Sequence, residues 1–269
     1  MRQNGSIVGP YVEPTLGPAS GVHSLSTQGI RRGGNVWPLN VSSLPYTTNL
    51  FAHYDAADGA TIFDSNSGGS QTTNGGAVGR WEDKSGNARH LLQSTANNRP
   101  VLRENHRSSR AGIEFDGTND GLTVVSTLTN PCTFCFVVRA NKNDSILFRE
   151  DDSTASYFMY NLNANAASAA NAGTPRLFVN GVDWAGAAQE VRSRLIYNYT
   201  FNKTYAIILT ELNLSAWSGF RMAEYSGFMW QGFVYELIIY SETLSTNNVR
   251  SVSRYLRSKW GTGNGIELL

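Results

Sequence analysis

The chain has 269 residues, of which 16% are charged and 11% aromatic, with 22 basic against 21 acidic side chains. A globular domain ordinarily carries about 25% charged residues; here the near balance of +1, with no run of one sign, excludes nucleic-acid binding by bulk electrostatics. No stretch reaches the roughly 20 apolar residues of a membrane span, and the opening MRQNGSIVGPYVEP lacks a signal peptide's apolar core, so a cytoplasm is the expected place of synthesis.

Residues 1–46 read as an extended arm, because Pro10, Pro14, Pro18, Pro38 and Pro45 with interspersed glycines leave no room for a sheet or a long helix. Its apolar residues cannot build a core of their own, so Tyr11, Leu16, Val22, His23, Leu25 and Trp37 are expected to become ordered by docking on a neighbour. Residues 47–262 read as one domain and 263–269 as a tail. From Leu50 onward short β-branched and aromatic runs alternate with Gly, Asn, Asp and Ser. Strands are predicted at 50–54, 79–82, 112–116, 122–125, 133–139, 145–148, 157–160, 176–179, 204–212 and 232–240.

Cys132 and Cys135 stand three apart on the strand at 133–139, which points them to opposite faces as core residues rather than as a redox pair or half a metal site. Asn180-Gly181 predicts a tight hairpin. Residues 161–173 (NLNANAASAANAG) read as a long surface loop. Strand 232–240 alternates Phe233, Tyr235, Leu237 and Ile239 against Val234, Glu236, Ile238 and Tyr240, and its two apolar faces place it centrally between two layers. One helix is predicted after Ser245 as cap, with Val249, Val252, Leu256 and Trp260 inward, Gly261 as stop, and Arg250, Arg254 and Arg257 solvated. Many antiparallel strands and one helix specify an all-β, two-sheet sandwich.

The runs FAHYDAAD at 51–58, VGRWEDKSGNARH at 78–90 and IEFDGTND at 113–120, with the closing YELIIYSETLS at 235–245 and Lys259-Trp260-Gly261, resemble the concanavalin A-like (laminin G-like) jelly-roll domains of bacterial and phage proteins. The resemblance covers about 50–261 and implies a jelly-roll sandwich. The arm's Ala19-Ser20-Gly21-Val22-His23-Ser24-Leu25 and Gly34-Asn35-Val36-Trp37-Pro38 resemble a segment of phage virion proteins, with His23 in place of a Trp and Val36 inserted. That second resemblance implies a virion protein whose leader docks on the particle.

Glycosidases of this fold use Glu-x-Asp-x-x-Glu; Glu114-Phe115-Asp116 begins the pattern, but Asn119 stands where the second Glu belongs. Some members hold Ca²⁺ with loop oxygens, for which Asp116, Asn119 and Asp120 are the candidates, with Asp55 or Asp58 beside them if the first strand pairs there. Asx turns are the preferred reading of these residues, and no cofactor is expected. His23, His53, His90 and His106 show no catalytic partner in the sequence, and no nucleophile elbow occurs. Trp184, Asp183 and Trp217 are the candidate glycan contacts, Trp184 as the exposed platform. The sequence thus predicts a non-enzymatic phage virion structural protein, a capsid decoration, fibre or tail subunit that docks by its arm on capsid or tail protein as a homo-oligomer. The alternative is a glycan- or receptor-binding adhesin of the particle, and a glycan hydrolase ranks third.

Overall fold

A computed structural model describes residues 43–128, 131–142, 145–151, 157–161, 175–183, 203–215, 217–223 and 227–262. The strands, in chain order, are β1 (Leu50–Asp55), β2 (Ile62–Phe63), β3 (Arg80–Trp81), β4 (Leu91–Leu92), β5 (Val101–Arg107), β6 (Arg110–Asp116), β7 (Leu122–Val124), β8 (Cys132–Ala140), β9 (Ser145–Glu150), β10 (Tyr157–Asn161), β11 (Arg176–Val179), β12 (Val182–Asp183), β13 (Thr204–Leu212), β14 (Phe220–Met222) and β15 (Gln231–Tyr240). The helix α1 (Thr246–Trp260) follows.

The first sheet has the order β12-β11-β13-β8-β15-β6-β5, with β1 also on β15; the second has the order β10-β9-β14-β7-β4-β3-β2. The strand pairings are antiparallel. The all-β two-sheet sandwich with a C-terminal helix, expected from the sequence, is therefore formed. The arm residues Tyr11, Leu16, Val22, His23, Leu25 and Trp37 lie outside the described residues, as do the tail and nearly all of the loop at 161–173. Leu44 and Tyr46, just before β1, pack against the layer under α1. Among the described residues no helix is long and apolar enough to cross a membrane.

Packing follows from alternation on central strands. On β8, Phe134, Phe136 and Val138 enter the core between the sheets, while Cys135 and Val137 face the α1 layer. Cys132 belongs to the inter-sheet core and Cys135 to the helix side, on the opposite faces that their spacing predicts. Burial pushes the Cys132 thiol up to about 12 and the Cys135 thiol well above its ordinary value. Both are expected to resist iodoacetamide in the native protein and to alkylate after unfolding, an outcome read by intact mass spectrometry.

The central strand β15 departs from its expected alternation. Its register on β8 shifts between Val234 and Glu236. Phe233 and Tyr235 consequently lie on the helix side with Ile238 and Tyr240, whereas Val234, Leu237 and Ile239 enter the inter-sheet core. Such a bulge adds one residue and re-aims the side chains after it. It falls where the partner on the strand's other edge changes: β6 pairs with Gln231–Val234, and β1 with Glu236–Tyr240.

The hairpin and helix match expectation. Asn180 and Gly181 take φ of 47° and 82° between β11 and β12, the double left-handed turn that suits strand twist. Ser245 Oγ accepts from Asn248 N, and Gly261 ends α1 at φ 61°. Val249, Val252, Leu256 and Trp260 are buried, and Arg250 and Arg254 are exposed. Arg257 differs, being half-buried against the hairpin at Gly181, because that turn folds beneath the helix.

Candidate functional site

The first cluster of chemistry-bearing residues joins β1, β15 and α1. Alternation puts His53 and Asp55 on one face of β1, opposite Ile238 and Glu236 of β15. The bulge aims Glu236 at the helix, where Tyr255 and Lys259 stand four apart on one stripe. Glu236 is fully buried and takes two donors on each oxygen. His53 Nε2 and the Tyr255 hydroxyl lie 2.8 Å from Oε1; Trp260 Nε1 and Lys259 Nζ lie 2.5 Å and 2.9 Å from Oε2. Lys259 also meets Asp55 Oδ1 at 2.7 Å, and Lys84 bridges Asp55 and Asp58 at 3.2 Å and 2.7 Å.

Burial raises the Glu236 pKa most, but the His53 hydrogen bond, the charges of Lys259 and His53 and the Trp260 donor together outweigh it and hold the carboxyl at about 2. Ligand atoms of His53, Asp55 and Glu236 lie within 4.8 Å of one another, a spacing suited to a metal. The Lys259 ammonium, however, already bonds both carboxylates from between them. The donors and acceptors of this cluster are matched to one another, so its chemistry is that of a clamp fixing α1 to the first sheet. The cleft of about 410 Å³ beside it is lined by the same paired groups together with Ser43, Leu44 and Arg110.

The residues singled out from the sequence are not brought together. Asp116 Oδ1 accepts from Thr118 N and Asn119 N, and Asp120 Oδ2 from Asp116 N, so these side chains build the turn between β6 and β7. Burial is the main cause that lifts the Asp120 carboxyl to about 6. Asp55 does not join this turn, because β1 takes the later half of the β15 edge and β6 the earlier half. Glu114 pairs with Arg103 at 2.5 Å. Trp217 is a core residue, 1% exposed, which corrects its reading as a glycan contact: in a sandwich a large indole is more readily absorbed by the core. Asp183 is exposed and ion-paired with Arg176 across the hairpin, and Trp184 lies outside the described residues.

A second place was not foreseen from the sequence: the outer face of the second sheet. Register sets Phe63, Arg80, Leu92, Thr123, Arg221 and Arg149 in one row across β2, β3, β4, β7, β14 and β9. The neighbouring inward row holds Ile62, Trp81 and Leu91, each fully buried. The 83–90 loop forms one rim, shaped by Asp83, whose carboxylate accepts from His53 N, Ser85 N, Ser85 Oγ and Arg89 N. Arg89 lies over the Phe51 ring, donating through Nη1 to Phe51 O and through Nε to Ser126 Oγ. His90 Nδ1 accepts from Asp83 N, which leaves the ring proton on Nε2 in the neutral imidazole.

Between these parts lies an open groove of about 680 Å³, lined by residues 66, 87–90, 92–95, 98, 123–126 and 221. Most are polar, but Leu92 and Val125 keep 38% and 75% of their surface exposed and give the groove an apolar patch. The signal for this site in the sequence was the polar alternation around Thr123 and Arg221, which is legible only once β4, β7 and β14 are known to be neighbours.

No protein-family model matches the chain, and no curated protein does. Among solved structures, Trypanosoma rangeli sialidase is 12% identical with a TM-score of 0.42, over 82% of this chain and 34% of the sialidase. The same sialidase in complex with sialic acid is 13% identical with a TM-score of 0.42, over 82% and 35%. Domain 4 of a GH43 extracellular arabinanase from Geobacillus stearothermophilus, in complex with arabinotriose, is 11% identical with a TM-score of 0.43, over 76% of this chain and 98% of that domain. The chain thus spans about a third of the length of the sialidases it matches. These neighbours are named as glycan-processing enzymes, and neither the virion structural role nor the exclusion of an enzyme expected from the sequence finds support among them. At 11–13% identity the likeness itself is one of all-β fold alone.

Proposed function

We propose that the chain is a carbohydrate-binding β-sandwich module of the concanavalin A-like kind, with the groove on the outer face of its second sheet as the glycan site. The observation that carries this reading is the composition of that groove. Saccharides present hydroxyls beside patches of C–H, and the groove sets hydrogen-bonding side chains of Asn66, His90, Asn98 and Thr123 around the exposed Leu92 and Val125. Part of its floor is sheet, from Leu92 of β4, Thr123 of β7 and Arg221 of β14, so these side chains are held without the entropy cost of ordering a loop.

A glycan array probed with the protein, followed by titration calorimetry on the best binder, tests the reading. Leu92→Ser with Val125→Ser removes the apolar patch at two exposed positions, for which stability should change by no more than about 0.5 kcal/mol each. The double variant is expected to bind about tenfold or more weakly, equivalent to about 1.4 kcal/mol. A blank array at high protein concentration overturns the proposal, and unchanged affinity in the variant overturns the placement of the site.

A further inference from the structure

We infer that the saccharide taken by this groove is acidic, bearing a carboxylate or sulfate group; this rests on the groove being the glycan site. The lining includes the guanidinium groups of Arg89 and Arg221 and the imidazole of His90, and among the described residues it includes no Asp or Glu side chain. Arg89 makes no ion pair among the described residues. Its Nε and Nη1 bond the uncharged oxygens of Ser126 and Phe51, which leaves Nη2 for a ligand. The nearby Asp83 carboxylate is saturated by three backbone N–H groups and a hydroxyl. Arg221 donates through Nε to Asp151 at 2.7 Å, and that carboxylate lies outside the lining. His90 adds a further donor, because its Nδ1 is engaged by Asp83 N and its proton sits on Nε2.

Among the described residues, the donors of Arg89 and His90 therefore have no carboxylate acceptor within the groove. A neutral sugar hydroxyl accepts and donates with equal ease, so it leaves an uncompensated guanidinium as it was. A carboxylate or sulfate oxygen is acceptor only and matches a guanidinium fork, through charge-assisted bonds roughly twice as strong as neutral ones. The bulk charge of +1 does not produce this preference, which makes it a local property of the groove.

The test uses tetragalacturonate, its neutral methyl ester, a sulfated chondroitin tetrasaccharide and the corresponding unsulfated, carboxyl-reduced tetrasaccharide, each titrated into the full chain. At least one acidic probe is expected to bind ten times or more tightly than its neutral counterpart, with affinity falling as NaCl is raised. The two acidic probes separate a carboxylate from a sulfate source. Thr123 makes no side-chain hydrogen bond among the described residues and stands in the outward row beside Arg221, so Thr123→Glu and Thr123→Gln differ in charge alone. Thr123→Glu should abolish the preference for the acidic probe, whereas Thr123→Gln, which alters the affinity for both probes alike, should keep their ratio. Equal or tighter binding of the neutral counterparts, or an acid preference untouched by Thr123→Glu, overturns this inference and leaves the glycan site standing. No binding of any saccharide, on this panel or on the array, overturns the glycan reading itself.

Discussion

Glu236→Ala is expected to lower the stability of the protein by about 3–5 kcal/mol, the range for removing one partner from a buried charge cluster. The substitution leaves Lys259, with a side chain only 9% exposed, with Asp55 as its one carboxylate beside the Tyr255 hydroxyl, and takes the acceptor from His53, Tyr255 and Trp260. Glu236→Gln should cost less but still clearly destabilise, since an amide presents at most one acceptor oxygen to four donors, and its NH₂ then opposes a donor. Urea unfolding followed by tryptophan fluorescence measures both, and a loss below about 1 kcal/mol for the alanine variant contradicts the clamp.

The same carboxylate sets an acid limit. Its pKa is ordinarily 4.5 and is held at about 2 in the folded protein, so the folded state binds the proton less readily than the unfolded chain does. Stability from Glu236 is therefore complete above its ordinary range and is lost as the pH falls from about 4.5 through about 2. The urea midpoint of the native chain should decline across that window, and the decline should be shallower in Glu236→Gln.

Gly232→Ala should be as damaging for an unrelated reason. Gly232 has φ of 147°, and a Cβ there would lie 2.1 Å from the carbonyl oxygen of Arg139 and 3.1 Å from Ala140 Cα. The residue is paired on one side with Phe115 of β6 and on the other with Ala140 of β8, so neither backbone can withdraw without breaking a ladder. Strain at such a φ costs about 1–3 kcal/mol and overpacking a similar amount, giving an expected loss of about 2–6 kcal/mol. Gly59→Ala is the control, because nothing lies within 4 Å of its Cβ position. Comparable unfolding midpoints for the two variants would refute this account of Gly232.

Much of the fold was legible because it rests on local patterns. The strands at 133–139 and 204–212 are rich in β-branched and aromatic residues, Asn180-Gly181 names its own turn, and Ser245 and Gly261 bracket the helix. β5 was missed because Arg103, Glu104, Asn105, His106 and Arg107 hide one apolar contact, Leu102, among polar residues at a sheet edge. The two-residue strands β2 and β4 carry no periodicity to read. The clamp was missed because His53 and Glu236 are 183 positions apart. One signal did exist: a Glu inside a strand with two apolar faces must be buried, and a buried carboxylate requires donors. The groove's signal, the polar alternation around Thr123 and Arg221, is readable only across strands that topology makes neighbours.

The pairing of β1 with β15 also governs the order in which the molecule can be completed. At ordinary rates of synthesis, 183 residues take on the order of 10–40 s to emerge. Throughout that interval Phe51, Ala52 and Tyr54 have neither the neighbouring strand nor the helix that later covers its outer layer. Closure of this loop is an entropic barrier met before any of its contacts repay it. Synthesis and assembly therefore run in opposite senses, and β1, the first of the described strands to leave the ribosome, is among the last to find its place.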